Sequence, residues 1–146
     1  MKNIDNMGGI LFASFILTHE IKNFVASQNK CIVNLIEDTQ WKLIKAKKNG
    51  ISITITPSNE SGGTLYTIKG TIQCRPDAVN LDILKATDTI ILRYQTPDGV
   101  DKVAGTDQYP LQVTVKPLTP NKANGFAGYE INFSGKQLIE PPVLQS

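Results

Sequence analysis

Apolar residues recur at every second position along much of this chain, and that spacing leaves little choice of architecture. Side chains alternate between the two faces of a pleated strand, so a period of two sorts apolar from polar residues by face; a helix would need a period near 3.6. Ile51, Ile53 and Ile55 alternate with Ser52, Thr54 and Thr56. Tyr109, Leu111, Val113 and Val115 are interleaved with Gln112, Thr114 and Lys116, and Tyr129, Ile131 and Phe133 with Glu130, Asn132 and Ser134. Segments of this kind predict a sheet with one face on a core and the other in water.

Residues 10–17 and 90–94 are apolar at both parities, the pattern of central strands covered on both sides. Further strands are expected over 31–36, 41–46 and 65–74. In the last of these, Tyr66, Ile68, Ile72 and Cys74 share a parity with Gly70 between them, so this glycine marks a bulge or a close backbone approach and a bent strand. Lys48-Asn49-Gly50, residues 59–63 and Pro97-Asp98-Gly99 supply turn chemistry, and each is expected to close a hairpin. Turns this frequent favour antiparallel pairing, because parallel neighbours need long crossovers. One segment departs from the pattern. Over 77–87 the positions of Val79, Leu81, Ile83 and Leu84 approximate a helix face, with Asp77 as the expected cap. A weaker helical pattern covers 20–27. The expected fold is mainly β, an antiparallel β-sandwich or barrel with one short flanking α-helix at about 77–87, in a single domain spanning 1–146 with an extended tail over 135–146.

A chain of 146 residues fits one domain, and 40% hydrophobic with 19% charged residues is ordinary globular composition. No stretch approaches the roughly 20 apolar residues of a membrane-spanning helix. Residues 8–17 have the apolar character of a secretory leader. Asp5 and the abrupt polar Thr18-His19-Glu20, without a small-x-small cleavage site, favour a buried strand instead. Net charge is only +2, and Arg75 and Arg93 are the only arginines. Sequence-specific nucleic-acid recognition is therefore not expected. The one basic concentration, Lys42, Lys45, Lys47 and Lys48, has two readings, a DNA-facing patch or solvated charge at a strand end, and the second is simpler.

Candidate chemistry is sparse. His19 is the only histidine, and Cys31 and Cys74 are too far apart in sequence for a local zinc or CxxC site. They read as small buried hydrophobes, consistent with reduced assembly in a cytoplasm. Asp98 and Asp101 flank Gly99 and are explained by a turn without calcium. Neither phosphate-binding glycine signature occurs. Trp41 reads as a core or interface anchor. No catalytic residue, cofactor or metal is expected, and the chain reads as one that binds other protein surfaces.

Two pieces look extended and adaptable, the loop over 117–127 and the tail over 135–146. Leu118 and Phe126 in the loop, and Leu138, Ile139, Val143 and Leu144 in the tail, need shelter. A neighbouring subunit would provide it, as would folding back onto the same domain.

Ile4-Asp5-Asn6-Met7-Gly8-Gly9, Leu92-Arg93-Tyr94, Gly99, Lys102, Val103, Gly105, Tyr109-Pro110-Leu111 and the run Gly128-Tyr129-Glu130-Ile131-Asn132-Phe133-Ser134-Gly135 carry a patchy resemblance across the chain. They resemble small proteins of the tail and neck gene modules of phages and prophages of gut Bacteroidetes. The placement of a short helix among antiparallel strands is similar to that of phage tail-tube proteins. The resemblance implies a virion structural protein, assembled in the host cytoplasm into a homo-oligomeric ring, hexamer or dodecamer, that joins other tail or neck proteins. The alternative is a secreted or surface β-sandwich adhesin or carbohydrate-binding module.

Overall fold

The computed structural model describes residues 5–7, 12–27, 29–118 and 128–145. In chain order the strands are β1 (Asp5–Met7), β2 (Phe12–Leu17), β3 (Ile21–Ser27), β4 (Lys30–Leu35), β5 (Lys42–Ile44), β6 (Ala46–Glu60), β7 (Gly63–Cys74), β8 (Thr89–Gln95), β9 (Asp101–Ala104), β10 (Leu111–Leu118), β11 (Gly128–Gln137) and β12 (Val143–Leu144). One helix, α1 (Leu81–Lys85), precedes β8. Hydrogen bonds join the strands into one continuous sheet in the order β1-β6-β7-β11-β10-β8-β9-β12-β4-β3, with β2 against β8 and β5 against β2. The protein is mainly β, as its period-two patterning predicts.

The sheet folds over on itself at β8. At its start this strand pairs with β10 through Ile90 and Thr89, further along it pairs with β9, and its opposite edge pairs with β2. β8 therefore belongs to both halves. Ile51, Ile53 and Ile55 of β6, Ile68 and Ile72 of β7 and Ile131 and Phe133 of β11 pack in one core with Ala13, Phe15, Ile90, Leu92 and Tyr94. The other face of β2 and β8 presents Ile16 and Ile91, which join Cys31 and Val103 in a second core covered by Phe24, Val33, Leu35 and Trp41. Double coverage explains why these central strands are apolar at both parities. Burying one such side chain contributes roughly 2 kcal/mol, and these rows are what hold the layers together.

Gly70 pairs in unbroken register with Ile53 on one side and Phe133 on the other, so it marks no bulge. It makes room for a ring: a Cβ built there would lie 2.4 Å from Phe133 Cζ and 2.6 Å from the Ser52 carbonyl oxygen. The irregularity falls instead at Lys48-Asn49-Gly50. That triplet closes no hairpin; β6 runs through it with a register shift between Ala46 and Ile51 against β7. A Cβ on Gly50 would sit 2.9 Å from the Gln73 carbonyl, so the bulge brings two backbones together. The other expected hairpins form, β6–β7 across Ser61-Gly62 and β8–β9 across Pro97-Asp98-Gly99, the latter fixed by Gly99 N–H donating to the Thr96 carbonyl at 2.9 Å.

The helix expected over 77–87 is a single short turn beginning at Leu81. Asn80 holds a left-handed conformation (φ 69°) that stops helical geometry from extending back to Asp77, and its side-chain amide donates to the Leu43 carbonyl at 2.8 Å. Asp77 caps nothing; it lies exposed beside Arg75 at 3.7 Å. Leu81 and Leu84 are buried while Val79 is exposed. The weaker helical pattern over 20–27 gives way to strand β3, which pairs with β4 along nearly its whole length and so satisfies the backbone groups on that flank. Tyr109, first in its alternating series, lies outside β10 and is exposed.

Candidate functional site

Histidine and cysteine chemistry is not brought together. His19 is exposed in a 3₁₀ turn (Thr18–Glu20), whereas Cys31 is buried in the second core and Cys74 in the first. Burial pushes the Cys31 thiol up to about 11 and also raises that of Cys74, where Lys85 partly opposes the shift. Both thiols are thus held in the protonated, poorly nucleophilic form. Among the described residues no group of three His, Cys, Asp or Glu side chains could hold a metal ion, and no helix is long and apolar enough to cross a membrane.

The two neighbouring carboxylates take different partners. Asp101 accepts from Arg93 Nη2 at 2.7 Å and from Gln95 Nε2 at 3.3 Å, across the β8–β9 pair. The Arg93 guanidinium also lies 5.8 Å from the centre of the Trp41 ring, which anchors the edge of the second core. Asp98 accepts a hydrogen bond from the Thr96 hydroxyl, which holds its carboxyl below the usual range. Both acids are occupied by the hairpin itself.

The lysine concentration is likewise divided. Lys42 donates to both carboxylate oxygens of Glu20, at 2.6 and 2.7 Å, and Glu20 also accepts from the Leu17 backbone N–H at 2.8 Å. It is a structural tie between β5 and the end of β2. Lys45 and Lys47 flank a concavity of about 530 Å³ with Arg75, Asp77 and Val79. The side chain of Lys48 lies outside the described residues.

The proposed contact residues of the loop and tail also separate. Val143 and Leu144 are sheltered by their own domain: β12 lies between β9 and β4, parallel to β4, with Val143 N–H donating to the Asn29 carbonyl at 2.7 Å and Gln145 N–H to that of Cys31 at 2.9 Å. Leu144 packs on the second core. The strand is positioned by Gln137, which is 1% exposed; its Oε1 accepts from Gly105 N–H at 2.8 Å and its Nε2 donates to the Ile139 carbonyl at 2.7 Å. Ile139 is half-buried and Leu138 is 63% exposed. Leu118 is half-buried opposite Gly128 at the end of β10, and Phe126 lies outside the described residues.

Two surfaces carry features that the sequence did not single out. The first is the sheet edge formed by β3. One flank of β3 pairs with β4, and among the described residues its other flank has no strand partner. On the outer face of this hairpin Val25 (56% exposed) sits directly across from Ile32 (43%), next to Asn23 and Asn34, whose side chains hydrogen-bond at 2.6 Å. The second is the outward face of β6, β7, β11 and β10, where the alternate side chains are mostly polar, Leu65 and Leu118 being exceptions. Glu130 there accepts from Lys116 at 3.0 Å, the main cause of its lowered carboxyl pKa, with Asn132 adding a second bond at 3.3 Å. Alternation made this face visible in the sequence, but the registry that brings its lysines together was not. Comparison with protein-family models, with curated proteins and with solved structures returned no match for this chain.

Proposed function

We propose that this chain is a structural protein that acts by assembling with copies of itself and with other virion proteins, as a ring, tube or connector component of a phage tail or neck. The observation that carries this reading is the open edge of β3. It spans Ile21–Ser27 with Lys22 as its only charged side chain, and it presents the apolar Val25–Ile32 pair at the sheet's end. Soluble proteins usually protect such an edge with charge, proline or a covering element, since free backbone N–H and C=O groups recruit another strand. At the opposite end of the sheet, the described residues of β1 pair with Ile53–Ile55 of the much longer β6. Among the described residues the sheet ends in two different strands, β1 and β3, and joining unlike edges gives head-to-tail contact, which closes into a ring when the rotation permits. The resemblance to tail and neck proteins supports the same reading.

Light scattering and electron microscopy of the purified chain test it. Rings of a fixed number of copies, six or twelve, are expected, and substituting Val25→Lys with Ile32→Lys should shift the population to folded monomers. A wild-type chain that stays monomeric at high concentration, alone and with portal or tail proteins, would refute the proposal.

A further inference from the structure

A depression of about 500 Å³ lies on the polar sheet face, at the end where β7, β11 and β10 meet the segment before β10. Lys69, Lys136, Thr67, Ser134, Gln112 and Tyr109 line it, and no carboxylate does. Register explains the convergence. Lys69 is directly opposite Ser134 and Thr67 directly opposite Lys136, so the lysines are diagonal neighbours on adjacent strands, about 7–8 Å apart at the backbone. Flexible ammonium heads at that spacing can reach one anion together. The only carboxylate among the outward residues of β7, β10 and β11 is Glu130, and it is bonded to Lys116. Among the described residues neither Lys69 nor Lys136 has a salt-bridge partner. Ser134 and Thr67 add hydroxyl donors and Gln112 an amide, the donor set that completes oxyanion coordination. Tyr109, 47% exposed, puts an aromatic ring on the rim.

We propose that this depression binds the phosphate group of a nucleoside phosphate, with Lys69 and Lys136 taking the phosphate and Tyr109 packing on the sugar or base that carries it. The same chemistry is offered by a free nucleotide and by a strand of nucleic acid, and neither source depends on the assembly reading above. Two charge-assisted contacts and a ring contact are each strong enough to be read singly.

Calorimetric titration of the intact protein with inorganic phosphate, a nucleoside monophosphate and a short single-stranded oligonucleotide distinguishes the sources. The monophosphate should bind more tightly than inorganic phosphate. Lys69→Gln with Lys136→Gln should weaken the monophosphate about tenfold or more, with the paired Lys→Arg changes restoring much of the loss. Tyr109→Ala should weaken the monophosphate and leave inorganic phosphate unchanged. Further tightening by the oligonucleotide, with a steep salt dependence, assigns the site to a strand; equal affinities assign it to a free nucleotide. These lysines are exposed, so the variants should keep the wild-type circular dichroism spectrum. The proposal is overturned if no phosphate compound binds at millimolar concentration, if Lys45→Gln with Lys47→Gln weakens binding as much as the site pair does, or if a sulfated glycan binds where phosphates do not.

Discussion

At the scale of single residues, steric fit outweighs conformational propensity. Glycine ordinarily weakens a strand, and replacing it by alanine there is mildly favourable. At position 70 the sign reverses, because the added methyl would overlap the Phe133 ring and the Ser52 carbonyl. Gly70→Ala is expected to destabilise the fold by about 2–3 kcal/mol in urea denaturation. Adding Phe133→Leu, which removes the ring, should recover part of that loss; independent, additive costs would show that the ring is not the obstacle. The buried thiols act through protonation. The Cys31 pKa is raised on folding, so its contribution to stability is complete below the ordinary thiol value and is lost as pH rises from about 9 to 11. Over that window the unfolded chain ionises while the folded one resists. Wild-type stability should fall more steeply there than that of Cys31→Ala, measured under reducing conditions, and identical slopes would contradict the buried-thiol account. The glycine's special status was legible from its place in an apolar series, but not the partner that needs the space, since Phe133 lies far along the chain and meets it only through the β7–β11 register.

Among elements, β12 best shows how weak local signals become fixed by tertiary pairing. Its two residues have too little pattern to identify as a strand, and the prolines before it suggest an unattached tail. Yet Val103 N–H donates to the Pro142 carbonyl at 3.0 Å, and Val143 and Gln145 donate across to the β4 side. Prolines suit this position because they lack the donor but keep the acceptor. Val143→Pro should remove the bond to Asn29 and cost about 3 kcal/mol or somewhat less, measured by thermal unfolding. Leu138→Ala, at an exposed neighbouring position, should stay within about 0.5 kcal/mol of wild type. Comparable losses at both sites would mean that β12 does not dock as described. The same contrast marks the limits of sequence reading. Alternation identified β6, β7, β10 and β11 because half-burial writes itself into every second residue. Local pattern misjudged β3 and the Lys48-Asn49-Gly50 bulge because their conformations are set by distant partners, β4 for one and Gln73 for the other. The candidate contact residues fared similarly: apolar character was visible, but whether the chain itself covers them was not.

For the whole molecule, the order of strands dictates how the chain can fold and where it can associate. β2 near the start pairs along its length with β8, and β1 pairs with the middle of β6, so neither core can close until long loops have been ordered. Contacts of such sequence separation favour slow folding, on the order of milliseconds to seconds. During that interval β3 and β4 can form their local hairpin, leaving the β3 edge available before the second core is complete. Among the described residues that edge is unpaired in the finished fold, and it is open to other chains during folding as well. The two exposures have different consequences. If β3 is the assembly edge of the native protein, the Val25→Lys and Ile32→Lys changes should abolish native oligomers and also raise the yield of soluble protein on refolding, leaving the unfolding midpoint of the monomer within about 0.5 kcal/mol of wild type, because both side chains point to solvent. If the edge matters only during folding, the refolding yield will rise while the native oligomer persists. Measuring both in the same variant, by light scattering after dilution from denaturant and by mass at equilibrium, separates an edge built for assembly from one merely tolerated.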